Sequence, residues 1–158
     1  MEQTENNLGF EVLPLILRDL IGMVVKKKTL PLEDALHYVY TSRLYQSLLD
    51  EKTKTWYLST ISLYDLLEKE KKANREKQQK EKELLFKTFC IENFKLKENL
   101  TATEVLLLFS KYSVFDFLDE TFEMLHTQDK AYIVDSISVF IKNKNRKLNY
   151  KLIEALGF

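Results

Sequence analysis

Residues Glu68 to Lys82 read EKEKKANREKQQKEK, a run with no aliphatic side chain larger than Ala73, no glycine and no proline. Glu68, Lys72, Glu76 and Lys80 alternate in sign every four residues, so ion pairs along one face support a helix with no core beneath it. Between Glu68 and Glu83 seven basic side chains stand against five acidic ones, the charge pattern of a solvated helix rather than of a nucleic-acid tract. No stop signal separates this run from the apolar residues on either side. One helix from about Trp56 to Lys97 is favoured over a frayed spacer.

Upstream, Leu13, Ile16, Leu17, Leu20, Ile21 and Val24 recur at three- and four-residue spacing and predict a helix from Leu13 to Lys28. Pro14 suits its first turn and Lys26, Lys27 and Lys28 suit its negative end, which leaves Met1 to Gly9 outside it. Pro31 opens a second helix buried through Ala35, Leu36, Val39 and Tyr40, and Leu44, Tyr45, Leu48 and Leu49 form a short third. Asp50 to Thr55 reads as a loop before a fourth helix, Trp56 to Leu67, apolar at Leu58, Ile61, Tyr64 or Leu63, and Leu67.

Downstream the pattern restarts. Leu85, Phe86, Phe89, Cys90, Ile91 and Phe94 share a face, a break falls at Asn99 to Thr103, and apolar faces follow at Val105 to Phe109, Val114 to Leu118 and Tyr132 to Ile141. Asn143 to Arg146 is polar and basic, and Leu148, Leu152, Ile153 and Leu156 make a separate amphipathic segment. That segment either packs on its own protein or docks in a partner's groove.

Shifting the chain by seventy positions aligns the two halves without a gap from Leu15 to Leu48: Leu20 falls on Cys90, Val24 on Phe94, Val39 on Phe109 and Leu48 on Leu118. The breaks coincide as well, Thr29 with Asn99 and Ser42 with Tyr112. Beyond Leu49 the offset is read as about 75, Tyr57 on Tyr132, with an insertion near Met124 to Gln128. A duplication is expected. The expected fold is all-α: two related small helical bundles in tandem repeat (10–67 and 83–142), a charged helical spacer (68–82) and a C-terminal amphipathic helix (147–157).

Composition narrows the function classes. Lys plus Arg equals Asp plus Glu, 24 each, so no global basic field invites nucleic acid or an anionic membrane. Three glycines and two prolines fit helices better than a turn-rich β fold. No apolar run approaches the roughly 20 residues of a membrane span. A single cysteine and an N-terminus without a basic start and apolar run point to a cytoplasmic protein.

From Phe89 to Phe140 the second half resembles the bacterial domain-of-unknown-function family thirty-seven-ninety-one. The residues that carry this are Phe89-Cys90-Ile91-Glu92, Glu104-Val105, Phe109, Lys111-Tyr112, Val114, Phe117-Leu118, Leu125-His126-Thr127-Gln128 and Tyr132-Ile133-Val134-Asp135 with Ile137. Ser113 and Asp129 stand where that family usually has glycine. The first half resembles a more divergent branch through Ala35-Leu36, Tyr40, Ser42 and Tyr45. Genes of this family tend to lie beside those of ADP-ribosyltransferase-like proteins. The resemblance therefore implies a non-enzymatic antitoxin or immunity-like partner of a neighbouring toxin.

Candidate partner contacts are Trp56, Tyr57, Glu92, Asn93, His126, Thr127, Gln128, Tyr132 and Leu152. Exposed Trp and Tyr are enriched at interfaces, and His126 sits where the helix pattern breaks. A histidine bonding a backbone carbonyl at a helix end outweighs a functional reading there, and His37 falls on a polar face. Cys90, aligned with Leu20, reads as a small buried thiol rather than a nucleophile. One cysteine and two scattered histidines make no standard zinc site, so neither metal nor cofactor is expected. The alternative function is a nucleic-acid-binding regulator using Lys26–Lys28, Lys69–Lys82 and Lys142–Lys151; an enzyme is a distant third. A second copy of the chain is a further candidate partner.

Overall fold

The computed structural model describes residues 5 to 155 and 157, with side chains described from 11 to 147 and at 151, 154 and 157. Among them are seven α-helices and no strand: α1 (Glu5–Lys28), α2 (Leu32–Tyr40), α3 (Arg43–Leu49), α4 (Thr60–Glu98), α5 (Ala102–Lys111), α6 (Val114–Leu125) and α7 (Lys130–Ala155). Two 3₁₀ turns, Glu51–Thr53 and Thr55–Tyr57, lie between α3 and α4. The chain divides into two compact units, Met1–Lys77 and Gln78–Phe158.

In the first unit α1 packs on α2. Leu20, Val24, Ala35, Val39, Leu48 and Leu67 are fully buried, so the stripes of α1 to α3 meet the start of α4 in one aliphatic core. The second unit builds its core from Cys90, Phe94, Val105, Phe109, Leu118 and Ile137, with α5 against α6 and α6 against α7. Here the large side chains are aromatic: Phe94 meets Phe109 edge-on at 5.2 Å, and Phe86 meets Phe122 at 5.4 Å.

The two units bury the same positions. From Pro31 to Asp50 and from Thr101 to Glu120, every buried, half-buried and exposed residue falls at the same place after a shift of seventy. The shift persists where an insertion was expected, because Leu63, Tyr64 and Leu67 are buried in one unit and Ile133, Val134 and Ile137 in the other. The offset of 75 is therefore corrected. What differs is the path between equal endpoints. Asp50 and Thr53 bind nearby backbone, at Lys52 N–H (3.0 Å) and the Ser47 carbonyl (2.6 Å), and Lys54 is left-handed at φ 55°, so the first unit turns. In the second unit Phe122 and Leu125 extend the buried stripe of Leu118, and the chain stays helical through Leu125.

Three other boundaries move. α1 starts at Glu5, so Pro14 lies inside the helix rather than in its first turn and removes one interior hydrogen bond. α4 starts at Thr60, because Trp56 and Tyr57 belong to a 3₁₀ turn. Asn143 to Arg146 do not break the chain, and α7 runs through them to Ala155 in place of a separate C-terminal helix. Polar residues interrupt an apolar stripe without costing the backbone its helical bonds.

Ser113 has φ 56°, with no hydrogen bond from its side chain to the start of α6. An L side chain in this left-handed region is strained, which is the physical reason glycine suits the position. Ser113→Gly should raise stability by about 1 kcal/mol, after the extra entropy of glycine in the unfolded chain is offset. Urea unfolding checks this: a higher midpoint with an unchanged slope is expected.

Candidate interaction surfaces

The first residues of the charged stretch belong to the first unit. Glu68 accepts from Lys28 Nζ at 2.8 Å and from the Tyr38 hydroxyl at 2.8 Å, and the ammonium groups of Lys28 and Lys71 lie 5.2 and 4.8 Å from the Tyr38 ring centre. Glu70 accepts from the backbone N–H groups of Arg43 (2.8 Å) and Leu44 (3.1 Å), so a carboxylate satisfies the free donors at the start of α3. The expected spacer thus begins as a clasp. Sequence reading missed it because Lys28, Tyr38 and Glu68 meet only in the folded chain.

Trp56 is half-buried against the first core, with its Nε1 buried and without a hydrogen-bond partner; Tyr57 is 88% exposed. The same 3₁₀ turn points one ring inward and the next outward. Glu92 pairs with Lys95 at 2.6 Å, and Asn93 Nδ2 donates to the Phe89 carbonyl at 2.8 Å, so both engage their own helix. Asn93 also lines a cleft of about 360 Å³ with Leu96, Lys97, Lys130, Val134 and Asp135, across which Lys97 pairs with Asp135.

His126 Nδ1 lies 2.6 Å from the Phe122 carbonyl, and its ring stacks on Phe122 at 4.4 Å. Thr127 and Gln128 are exposed in the following turn, and Asp129 caps α7 by accepting from Tyr132 N–H at 2.9 Å. The capping carboxylate accounts for an aspartate at this position. Tyr132, 55% exposed, opens a groove of about 410 Å³ between α6 and α7. Its walls include Phe117, Val139 and Phe140; Phe117 and Phe140 stack at 4.2 Å, and Lys144 Nζ lies 5.4 Å from the Phe140 ring centre.

Of the candidate contacts, then, Tyr132 joins an aromatic groove, Asn93 lines the neighbouring cleft, and Asp135 borders both. His126, Thr127 and Gln128 lead into Tyr132 along the chain, while Trp56 and Tyr57 lie in the other unit. The Leu152 side chain lies outside the described residues. Phe117, Val139 and Phe140 lie within the apolar runs Val114 to Leu118 and Tyr132 to Ile141, and periodicity does not tell a groove wall from a core. In the first unit the positions of Phe117, Tyr132, Val139 and Phe140 are held by Ser47, Ser62, Lys69 and Glu70. Among the described residues these four positions are aromatic or aliphatic in the second unit and polar in the first.

Among the described residues no group of three or more His, Cys, Asp and Glu side chains is placed to hold a metal, and no helix is long and apolar enough to cross a membrane. Burial pushes the Cys90 thiol up to about 12, which leaves essentially no thiolate at neutral pH.

A family model described as a protein of unknown function (DUF3791) matches residues 85–144. The matched segment holds the second core, the aromatic groove and the residues that carry the resemblance. No curated protein and no solved structure matches the chain.

Two measurements check these environments. Burial alone pushes the Glu68 carboxyl up, but the bonds from Lys28 and Tyr38 and the charges of Lys28 and Arg75 outweigh it and hold the group below its ordinary range. For Lys28 the bond to Glu68 leads and raises its pKa, against desolvation. The clasp is therefore complete between these two titrations. Its contribution fades as pH falls through the lowered Glu68 value, and again as pH rises past the raised Lys28 value. Glu68→Gln should cost about 1–2 kcal/mol at pH 7, and in urea unfolding the cost should shrink as pH falls below 4.5. Separately, the Cys90 thiol should resist a disulfide reagent at pH 8 in the folded protein and react at once in denaturant; equal rates would contradict its burial.

Proposed function

We propose that this protein is a non-enzymatic binding module made by duplication of one helical unit, and that its partner is another protein. The observation that carries this reading is the aromatic groove between α6 and α7. A soluble helix gains nothing for its own fold by leaving Tyr132 and Val139 each 55% exposed beside a stacked aromatic pair. Aromatic side chains bordering a concave surface are the usual anchors of protein interfaces.

The family resemblance supplies the kind of partner: a toxin, ADP-ribosyltransferase-like, encoded beside this protein in a bacterial cytoplasm, with this chain as its antitoxin or immunity factor. The first unit is then a divergent copy whose corresponding surface has become polar. Nucleic-acid binding draws less support, because the charges balance overall and, within its basic stretches, Lys28 and Lys72 are paired with carboxylates.

Co-expression with the product of the adjacent gene tests the reading. The wild-type chain should co-purify with that product and suppress its toxicity. The double variant Tyr132→Ala, Val139→Asp should lose at least tenfold in affinity, about 1.4 kcal/mol or more, with an unchanged thermal midpoint. Failure of the wild type to co-purify or neutralise would refute it.

A further inference from the structure

A second cleft in the second unit, of about 170 Å³, is bounded by Phe94, Glu98, Leu100, Leu108, Ser138 and Ile141, with Lys142 at its edge. The first unit shows what this space can hold. Its clasp consists of Lys28, Tyr38, Glu68 and Lys71, and a shift of seventy places these on Glu98, Leu108, Ser138 and Ile141. All four line the cleft. Where the first unit inserts the Tyr38 ring, the second has the smaller Leu108, and the space is open.

We propose that this cleft is a binding site for a phenol ring, presented as the tyrosine side chain of a partner polypeptide. The walls are apolar and the polar groups suit a phenol. In the first unit the hydroxyl of the ring donates to a carboxylate and ammonium groups lie over its face. In the second, Glu98 lines the cleft at the position of Lys28 and Ser138 at that of Glu68, Ser138 Oγ lies 3.5 Å from the Glu98 carboxylate, and Lys142 is a further lining residue. The carboxylate and the serine oxygen are acceptors for a phenol O–H, and a lysine in the lining is a favourable neighbour for an aromatic ring. The proposal rests on the protein-binding reading only for the source of the ring; the aromatic groove is separate from it.

The test uses the full-length protein labelled with nitrogen-15 and no partner. Titration with N-acetyl-tyrosinamide should move the amide signals of Glu98, Leu108 and Ser138 saturably, with a Kd on the order of 1 mM. N-acetyl-phenylalaninamide, lacking the hydroxyl, should bind several-fold more weakly. Leu108→Tyr should fill the cleft from within, raise the thermal midpoint and abolish the shifts. No saturable shift, equal binding of the two amides, or undiminished binding in a folded Leu108→Tyr variant would overturn the proposal. Binding of p-cresol without the tyrosine amide would overturn the polypeptide source. The comparison of the two amides needs no variant to fold. If the tyrosine amide binds while no partner protein is captured, the binding-module reading fails and the cleft stands.

Discussion

Each unit depends on a chain reversal through one left-handed residue, Thr29 (φ 54°) after α1 and Asn99 (φ 52°) after α4. Left-handed backbone costs an L residue roughly 1–2 kcal/mol, more readily borne by asparagine than by β-branched threonine. At the second reversal Leu100 N–H returns to the Lys95 carbonyl at 3.1 Å and satisfies one of the last acceptors of α4. The reversals persist because of what they bring together. Val39 and Phe109 are both fully buried in the helices that follow, and burying one such side chain contributes roughly 1.5–3 kcal/mol. A single buried anchor offsets the strained turn, and each unit has several.

This constraint explains what could be read from the residues alone. The spacings at Leu20 and Val24, Ala35 and Val39, and Cys90 and Phe94 report burial directly, so the all-helical class and most helices were legible. Local chemistry that competes with periodicity was not. Thr53 and Asp50 bend the chain with hydrogen bonds that leave no trace in a hydrophobic pattern. The resulting difference between α3 and α6 mimics an insertion, although the flanking cores keep one register. Pro14 looked like a helix start because proline favours that place, but the flanking residues carry α1 across it.

The surfaces were less legible still, for a different reason. Glu68 belongs by composition to a solvated charged run, yet it is held by two side chains thirty and forty residues away. Pairing across helices depends on which faces meet, and one helix's pattern does not specify its neighbour's. His126 shows the opposite case: a residue singled out as a candidate site has its ring against a backbone carbonyl and a phenylalanine face within its own helix. Its environment is that of a helix-end histidine.

The two units keep one core register and differ in the sites around it. At one site the first unit inserts a tyrosine into a polar clasp and the second leaves a cleft. At another the first unit caps α3 with Glu70, and the second stacks Phe140 on Phe117 beside an open groove. Each pair of alternatives fits the same helical frame, so the frame does not require the exposed aromatic version. Exposed aromatic surface favours association, and a fold with a polar solution available at the same position keeps such surface at a cost in solubility. Phe117 and Phe140 offset part of that cost by packing on the second core, and the proposed binding would account for the exposed remainder at Tyr132 and Val139. On that proposal the binding surface lies in the second unit, and the first holds a polar alternative at the same positions.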